Sequence, residues 1–261
     1  MADLPLTIGA VVGVLLSGGF ILVEIGRYAT PQVPETLFDE RREVFAYTAG
    51  LFVGIPLALA LLFFLDSMAN GAIPGALIWL VVLVGGTEVA QWALMRTRYW
   101  GQGESGPFYA LGYRAGMGGI FGLTVVAQYL SGPTVGTDGI AVVVAQAIAL
   151  LGLEVTRGLL SLPPSATAGR SGGGPIPGAI FGAVGIFLVG LGPLADPGTN
   201  GDPTVAIAAA IVALIGAGLV YRRLRPMLAA VPPPTAGGVQ PGPRARATYG
   251  RTDRGPDGPP P

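Results

Sequence analysis

The sequence predicts an all-α membrane bundle of seven transmembrane helices, from its apolar composition, its long apolar stretches and its arginine distribution. Of the 261 residues, 51% are hydrophobic and only 11% are charged, which is too apolar for a water-soluble domain of this size. A bilayer core of about 30 Å requires about 20 mostly apolar residues per helix. Seven stretches satisfy this requirement, near residues 4–27, 44–65, 76–95, 107–130, 140–160, 176–195 and 204–221.

The first of these stretches is expected to remain a membrane span. It is preceded by Asp3 rather than by basic residues, and its apolar run is longer than the roughly 7 to 15 residues of a signal peptide. Connectors rich in glycine, proline or asparagine follow the second, fourth and sixth spans, at residues 66–75, 131–139 and 196–203. Such residues favour turns, so we expect tight loops on one side of the membrane.

Arginine predicts the orientation of the bundle, because cytoplasmic segments of membrane proteins retain positive charge. The segments before the first span and after the second, fourth and sixth spans contain aspartate but no arginine. The other four flanking segments carry Arg27, Arg41, Arg42, Arg96, Arg98, Arg157, Arg170, Arg222, Arg223 and Arg225. The N-terminus is therefore predicted outside the plasma membrane and the C-terminus in the cytoplasm.

The first predicted cytoplasmic loop carries a charged run at residues 35–43. Its helix-forming residues predict that the second span continues below the membrane by about two turns. Asp39, Glu40 and Glu43 alternate with two arginines, which indicates a solvated, charge-compensated helix end rather than a metal site.

Residues 1–231 form the predicted transmembrane domain, and residues 232–261 form a cytoplasmic tail rich in proline, glycine and arginine. The tail has almost no aliphatic residues, so it cannot bury enough apolar surface to offset chain entropy. We therefore expect it to be disordered. Its arginines are diluted by aspartate and proline, so we expect no nucleic-acid partner.

The odd-numbered spans share a carboxylate pattern. Glu24, Glu88 and Glu154 each lie toward the predicted cytoplasmic end of their span, and each following span carries glycines at GxxxG spacing. These features favour three helical-hairpin repeats plus one helix. With 43 glycines in the chain, such pairs also arise by chance and serve any close helix packing, so duplication and coincidence both stay open.

Charged side chains inside a bilayer are costly and therefore informative. Glu88 lies about two turns before the predicted end of the third span, and Arg114 lies about two turns after the start of the fourth. Antiparallel neighbours would place both at one depth, so we predict an ion pair between them. Glu154 lies at nearly the same depth. The predicted intramembrane polar layer contains Glu88, Gln91, Arg114, Glu154 and Arg157.

Two interpretations of this layer stay open. It is a substrate, ion or proton site if a desolvated glutamate beside arginine exchanges a proton or binds an anion. It is structural if opposite charges form satisfied pairs that fix helix register, with Arg27 and Arg157 extending to lipid headgroups. The near balance of charge favours the structural interpretation.

The missing residue types exclude several chemistries. The chain has no cysteine and no histidine, and all of its basic residues are arginine, so thiolate, imidazole and Schiff-base chemistry are excluded. No cluster of carboxylates typical of a divalent metal lies in or next to a span. We therefore expect no enzyme activity, no cofactor and no metal site.

These observations favour a non-enzymatic accessory or scaffold protein, whose expected partners are the lipid bilayer and another membrane protein. The alternative is a small-solute or ion transporter that uses the polar layer. A water-accessible cavity that reaches Glu88 and Glu154 would favour the transporter, whereas sealed ion pairs would favour the scaffold.

Overall fold

The computed structural model describes residues 3–28, 38–97, 100, 105–130, 137–162, 174–194 and 203–228. Within these ranges 93% of the residues are helical and none lies in a strand, which confirms the all-α prediction. The predicted disordered tail, residues 232–261, lies outside the described residues.

Eight α-helices follow one another in the described parts of the chain. The N-terminal helix consists of α1 (Asp3–Ala10), a π-helical turn (Val11–Leu15) and α2 (Leu16–Tyr28). The helices that follow are α3 (Glu40–Ala69), α4 (Ile73–Met95), α5 (Gly106–Leu130), α6 (Thr137–Leu160), α7 (Pro175–Leu194) and α8 (Pro203–Leu224). Their bounds agree with the predicted spans to within about one turn of helix.

Among the described residues, six helical segments are long and apolar enough to cross a membrane, and they lie in the N-terminal helix, α3, α4, α5, α6 and α8. Helix α7 contributes a shorter apolar segment, Pro175–Leu191. Large apolar side chains are exposed on many helices, among them Leu22, Phe52, Val81, Ile176 and Leu219. Because lipid or another protein normally covers so much exposed apolar surface, this architecture is that of a multi-span membrane protein.

Helix α3 extends beyond its predicted span by less than the predicted two turns. Phe38 and Asp39 are not helical, and the Asp39 carboxylate caps the helix by accepting a hydrogen bond from the backbone N–H of Arg41 at 2.9 Å. A capping carboxylate satisfies backbone donors that have no partner within the helix. The predicted two-turn extension is therefore wrong, since α3 starts at Glu40, about one turn before residue 44.

Helix α5 lies at the centre of the bundle. It packs against the N-terminal helix, α3 and α6. Of its apolar segment 83% is buried inside the protein, a larger share than in any other described span. Arg114 and Thr124 of α5 are therefore buried away from both water and lipid.

Glycines allow α3 and α5 to approach backbone to backbone. A Cβ atom added to Gly50 of α3 would overlap the carbonyl oxygen of Tyr113, and one added to Gly116 of α5 would overlap that of Tyr47. A Cβ on Gly13 of the N-terminal helix would likewise overlap the α5 backbone. The glycine pattern thus serves close helix packing, whether or not the hairpins are repeats.

Side-chain hydrogen bonds connect α7 and α8 to α6. The Gln146 amide of α6 donates to the carbonyl oxygen of Val189 in α7 at 3.1 Å. The Thr156 hydroxyl of α6 donates to the carbonyl oxygen of Ala217 in α8, also at 3.1 Å. Such bonds between a side chain and a neighbouring backbone stabilise helix association in an apolar environment.

The substitution Gly50→Ala is expected to destabilise the bundle by about 1–3 kcal/mol, because the added methyl group must displace the α5 backbone. Gly85 of α4 provides the matched control, since nothing lies within 4 Å of a Cβ atom built there. Denaturation in mixed detergent micelles, followed by circular dichroism, measures both variants. Equal stability of Gly50→Ala and Gly85→Ala would contradict the close contact of α3 and α5.

Candidate functional site

Four charged side chains from three helices meet inside the bundle. Glu88 lies on α4, Arg114 on α5, and Glu154 and Arg157 on α6. Arg114, Glu154 and Arg157 have no exposed surface, and Glu88 is 6% exposed. We refer to these four residues as the charge quartet.

Each arginine of the charge quartet binds both glutamates. Arg114 donates from Nη1 to Glu154 Oε2 at 2.7 Å and from Nη2 to Glu88 Oε1 at 2.8 Å. Arg157 donates from Nη2 to Glu88 Oε1 at 2.8 Å, and its Nη1 donates to Glu154 Oε1. The four ion pairs close into a ring with equal numbers of positive and negative charges. Charge-assisted bonds of this kind offset the cost of taking the groups out of water.

Two neutral side chains of α4 complete the network. Gln91 accepts a hydrogen bond from Arg114 Nε and donates from Nε2 to the carbonyl oxygen of Gly158 at 2.9 Å. The Thr87 hydroxyl oxygen accepts from Arg157 Nη2 at 2.6 Å. Thr87 was not among the predicted layer residues. Thr87 precedes Gln91 by four residues, which places both on one helix face. This spacing was the sequence signal that could have identified Thr87 as part of the network.

Glycines on two helices make room for the guanidinium groups. A Cβ atom added to Gly182 of α7 would overlap the Arg157 guanidinium, and one added to Gly158 of α6 would lie 3.1 Å from Arg114 Cγ. Helix α7 therefore packs directly over Arg157. These glycines let large charged side chains pack as tightly as an apolar core.

The structure brings all five predicted layer residues together, and the predicted ion pair of Glu88 with Arg114 is present. The interpretation in which Arg157 extends to lipid headgroups is wrong, because Arg157 is fully buried. Arg157 follows Glu154 by one helical turn on the same face of α6, and α4 supplies further acceptors there. Arg27, in contrast, is exposed.

Glu24 does not join the charge quartet, although it lies toward the cytoplasmic end of its predicted span, as Glu88 and Glu154 do in theirs. It lies on α2 within electrostatic range of Glu43 on α3. The prediction that Glu43 belongs to a solvated helix end is wrong, since Glu43 is 2% exposed. Its carboxylate packs against the backbone of Gly112 in α5. Its spacing from the small residues Ala46 and Gly50 was the sequence signal for this buried face.

A groove of about 240 Å³ lies between the N-terminal helix, α6 and α8. Its lining is almost entirely apolar and includes Phe20, Leu151, Leu214 and Tyr221. No residue of the charge quartet lines it. Among the described residues, no group of three or more histidines, cysteines or carboxylates is arranged to hold a metal ion.

Long apolar helices around a buried, charge-neutral polar network are features of a multi-span membrane protein. Comparison of the chain with protein-family models, with curated proteins and with solved structures finds no match.

The substitution Arg114→Gln is expected to lower the free energy of unfolding by about 3–5 kcal/mol, because it leaves two buried carboxylates with one counter-charge. Arg41→Gln is the control, since Arg41 is exposed at the start of α3 and exposed charges contribute about 1 kcal/mol or less. Denaturation in mixed micelles gives both values. A loss no larger for Arg114→Gln than for Arg41→Gln would contradict the energetic role of the quartet.

The substitutions Glu88→Gln and Arg157→Gln are expected to be coupled. Each alone leaves an unmatched charge, whereas both together leave the neutral pair of Arg114 and Glu154. The double variant should therefore be more stable than the sum of the single effects, by about 0.5–3 kcal/mol. Glu40→Gln combined with Arg157→Gln is the control cycle and should be additive, since Glu40 is exposed. Additivity in the quartet cycle would refute the closed ring.

Proposed function

We propose that this chain is a non-enzymatic accessory or scaffold protein of the membrane, whose helices are held in one arrangement by the charge quartet. The observation that carries the proposal is the closure of the quartet. Its two guanidinium groups and two carboxylates bind one another, and three of the four residues have no exposed surface. The ring leaves two buried polar atoms without a hydrogen-bond partner among the described residues, Glu88 Oε2 and Arg157 Nε, so few groups remain with which to bind a solute.

The composition supports a role without catalysis. The chain has no cysteine or histidine, and its basic residues are all arginine, so the side chains that most often transfer protons near neutral pH or act as nucleophiles are missing. An accessory role implies a partner. We propose that this partner is another membrane protein, which covers part of the exposed apolar surface together with lipid.

A second candidate function is a small-solute or ion transporter that uses the quartet. The observation in its favour is Glu88, which is the one partly exposed member and whose Oε2 has no hydrogen-bond partner in the described structure. This oxygen is buried, and a solute or water molecule that reached the quartet would find a free acceptor there.

We further propose seven crossings of the plasma membrane, with the N-terminus outside and the C-terminus in the cytoplasm. Helix α7 has 20 residues, which span about 30 Å and therefore match a bilayer core. The distribution of arginine supports the orientation. The shared position of Glu88 and Glu154 supports related hairpins, whereas Glu24 lies in different surroundings.

Single-cysteine labelling tests this topology, and the chain needs no prior removal of native cysteine. A membrane-impermeant maleimide added to intact cells should label Asn70→Cys and Thr199→Cys. It should label Thr97→Cys and Arg223→Cys only after permeabilisation. Protection of Thr199→Cys in intact cells would contradict the crossing of α7 and with it the count of seven.

Flux measurements separate the two candidate functions. Proteoliposomes containing the wild-type chain should show the same H⁺, K⁺ and Cl⁻ leak as protein-free vesicles. Glu88→Gln should leave this leak unchanged while lowering stability by about 3–5 kcal/mol, because Arg114 and Arg157 lose a shared counter-charge. Solute flux by the wild type that is abolished in a folded Glu88→Gln variant would overturn the scaffold proposal in favour of transport.

A further inference from the structure

Two buried glutamates lie outside the charge quartet. Glu24 on α2 is 7% exposed and Glu43 on α3 is 2% exposed. In each carboxylate the Oε2 atom is buried and has no hydrogen-bond partner. The ion pairs within the described residues include neither of them. Their surroundings therefore differ in kind from those of Glu88 and Glu154.

The neighbours of Glu24 supply little compensating charge. On its own helix Arg27 and Tyr28 follow within about one turn, and Tyr221 faces it from α8. Arg27 is exposed, so solvent and headgroups screen its charge. The phenols are neutral near pH 7. Glu43 on α3 is an acidic group within electrostatic range of Glu24.

The neighbours of Glu43 supply even less compensating charge. Its Oε1 packs against Gly112 of α5, whose backbone N–H interacts with the carboxylate, and Tyr109 of the same helix lies within electrostatic range. Arg42 precedes it in the chain, and Arg42 Nε forms an ion pair with Asp39 Oδ2 at 3.4 Å. The ion pairs of the described residues do not include Glu43.

Three aromatic rings pack together near Glu24 and Glu43, where α2, α3 and α5 meet. The rings of Tyr28 of α2 and Phe108 of α5 are 5.0 Å apart at their centroids, and Phe38, just before α3, lies 5.1 Å from Phe108. All three side chains are buried. Tyr28 lies one turn after Glu24, and Phe108 lies one turn before Gly112. The rings thus reduce the access of water to the two carboxylates.

An ionised carboxylate that is buried without a counter-charge is strongly unfavourable, and a second carboxylate beside it adds repulsion. In the charge quartet, guanidinium groups remove this cost. Among the described residues no guanidinium forms an ion pair with Glu24 or Glu43, and a bound proton would remove one of the two negative charges. We propose that Glu24 and Glu43 form a proton-binding site, in which Glu43 carries the proton at neutral pH.

Glu43 is assigned the proton because it is the more buried of the two and because Glu24 has Arg27 one turn further along its own helix. Loss of the proton at alkaline pH would place two like charges between α2 and α3. The site therefore makes the packing of the N-terminal helix against α3 sensitive to protonation. This inference is independent of the scaffold proposal, since proton binding requires no flux.

Infrared spectroscopy of the reconstituted full chain tests the site directly. A protonated carboxylic acid has a carbonyl stretching band that ionised carboxylates lack. The wild type should show this band at neutral pH, Glu43→Gln should lose it, and Glu40→Gln, which changes an exposed glutamate of the same helix, should retain it. The band should disappear in the wild type as the pH is raised.

Chemical labelling provides a second measurement that needs no variant. An apolar carbodiimide reacts with protonated carboxyl groups in apolar surroundings, and peptide mass spectrometry locates the adduct. Glu43 should be modified in the wild type, with modification decreasing at alkaline pH, while Glu88 and Glu154 should stay unmodified. A neutral-pH band that persists in folded Glu43→Gln, or labelling of Glu88 and Glu154 without Glu43, would overturn the proposal.

Discussion

Charge neutrality inside an apolar bundle is the constraint on which the rest of this structure depends. Two arginines and two glutamates are removed from water at the junction of α4, α5 and α6, and each guanidinium binds both carboxylates. Because an unmatched buried charge is far more costly than a matched pair, the three helices have one depth and one rotation that satisfy all four groups. The polar network therefore selects an arrangement that apolar packing alone would leave open.

Close packing makes this network possible. The guanidinium of Arg157 lies against Gly182, and the α3 and α5 backbones meet at Gly50 and Gly116. Small residues bring backbones together where lipid offers no hydrophobic driving force between helices. The same close approach buries Glu43. Helix packing thus determines which charges are compensated and which are isolated.

The bundle contains two kinds of buried carboxylate. Glu88 and Glu154 each form ion pairs with two guanidinium groups, whereas the ion pairs of the described residues include neither Glu24 nor Glu43. The first kind supports rigidity, because breaking it exposes full charges to a low dielectric. The second kind is the basis of the proposed proton-binding site at the N-terminal helix.

The sequence by itself determined the helices, their approximate bounds and the contact of Glu88 with Arg114, since apolar length and a rise of 1.5 Å per residue are local properties. It did not determine that Arg157 points inward, that Thr87 joins the network or that Glu43 is buried. Those outcomes depend on how far each helix rotates about its own axis. Only the packing of neighbouring helices decides that rotation, because several faces of each membrane span are apolar enough to face lipid.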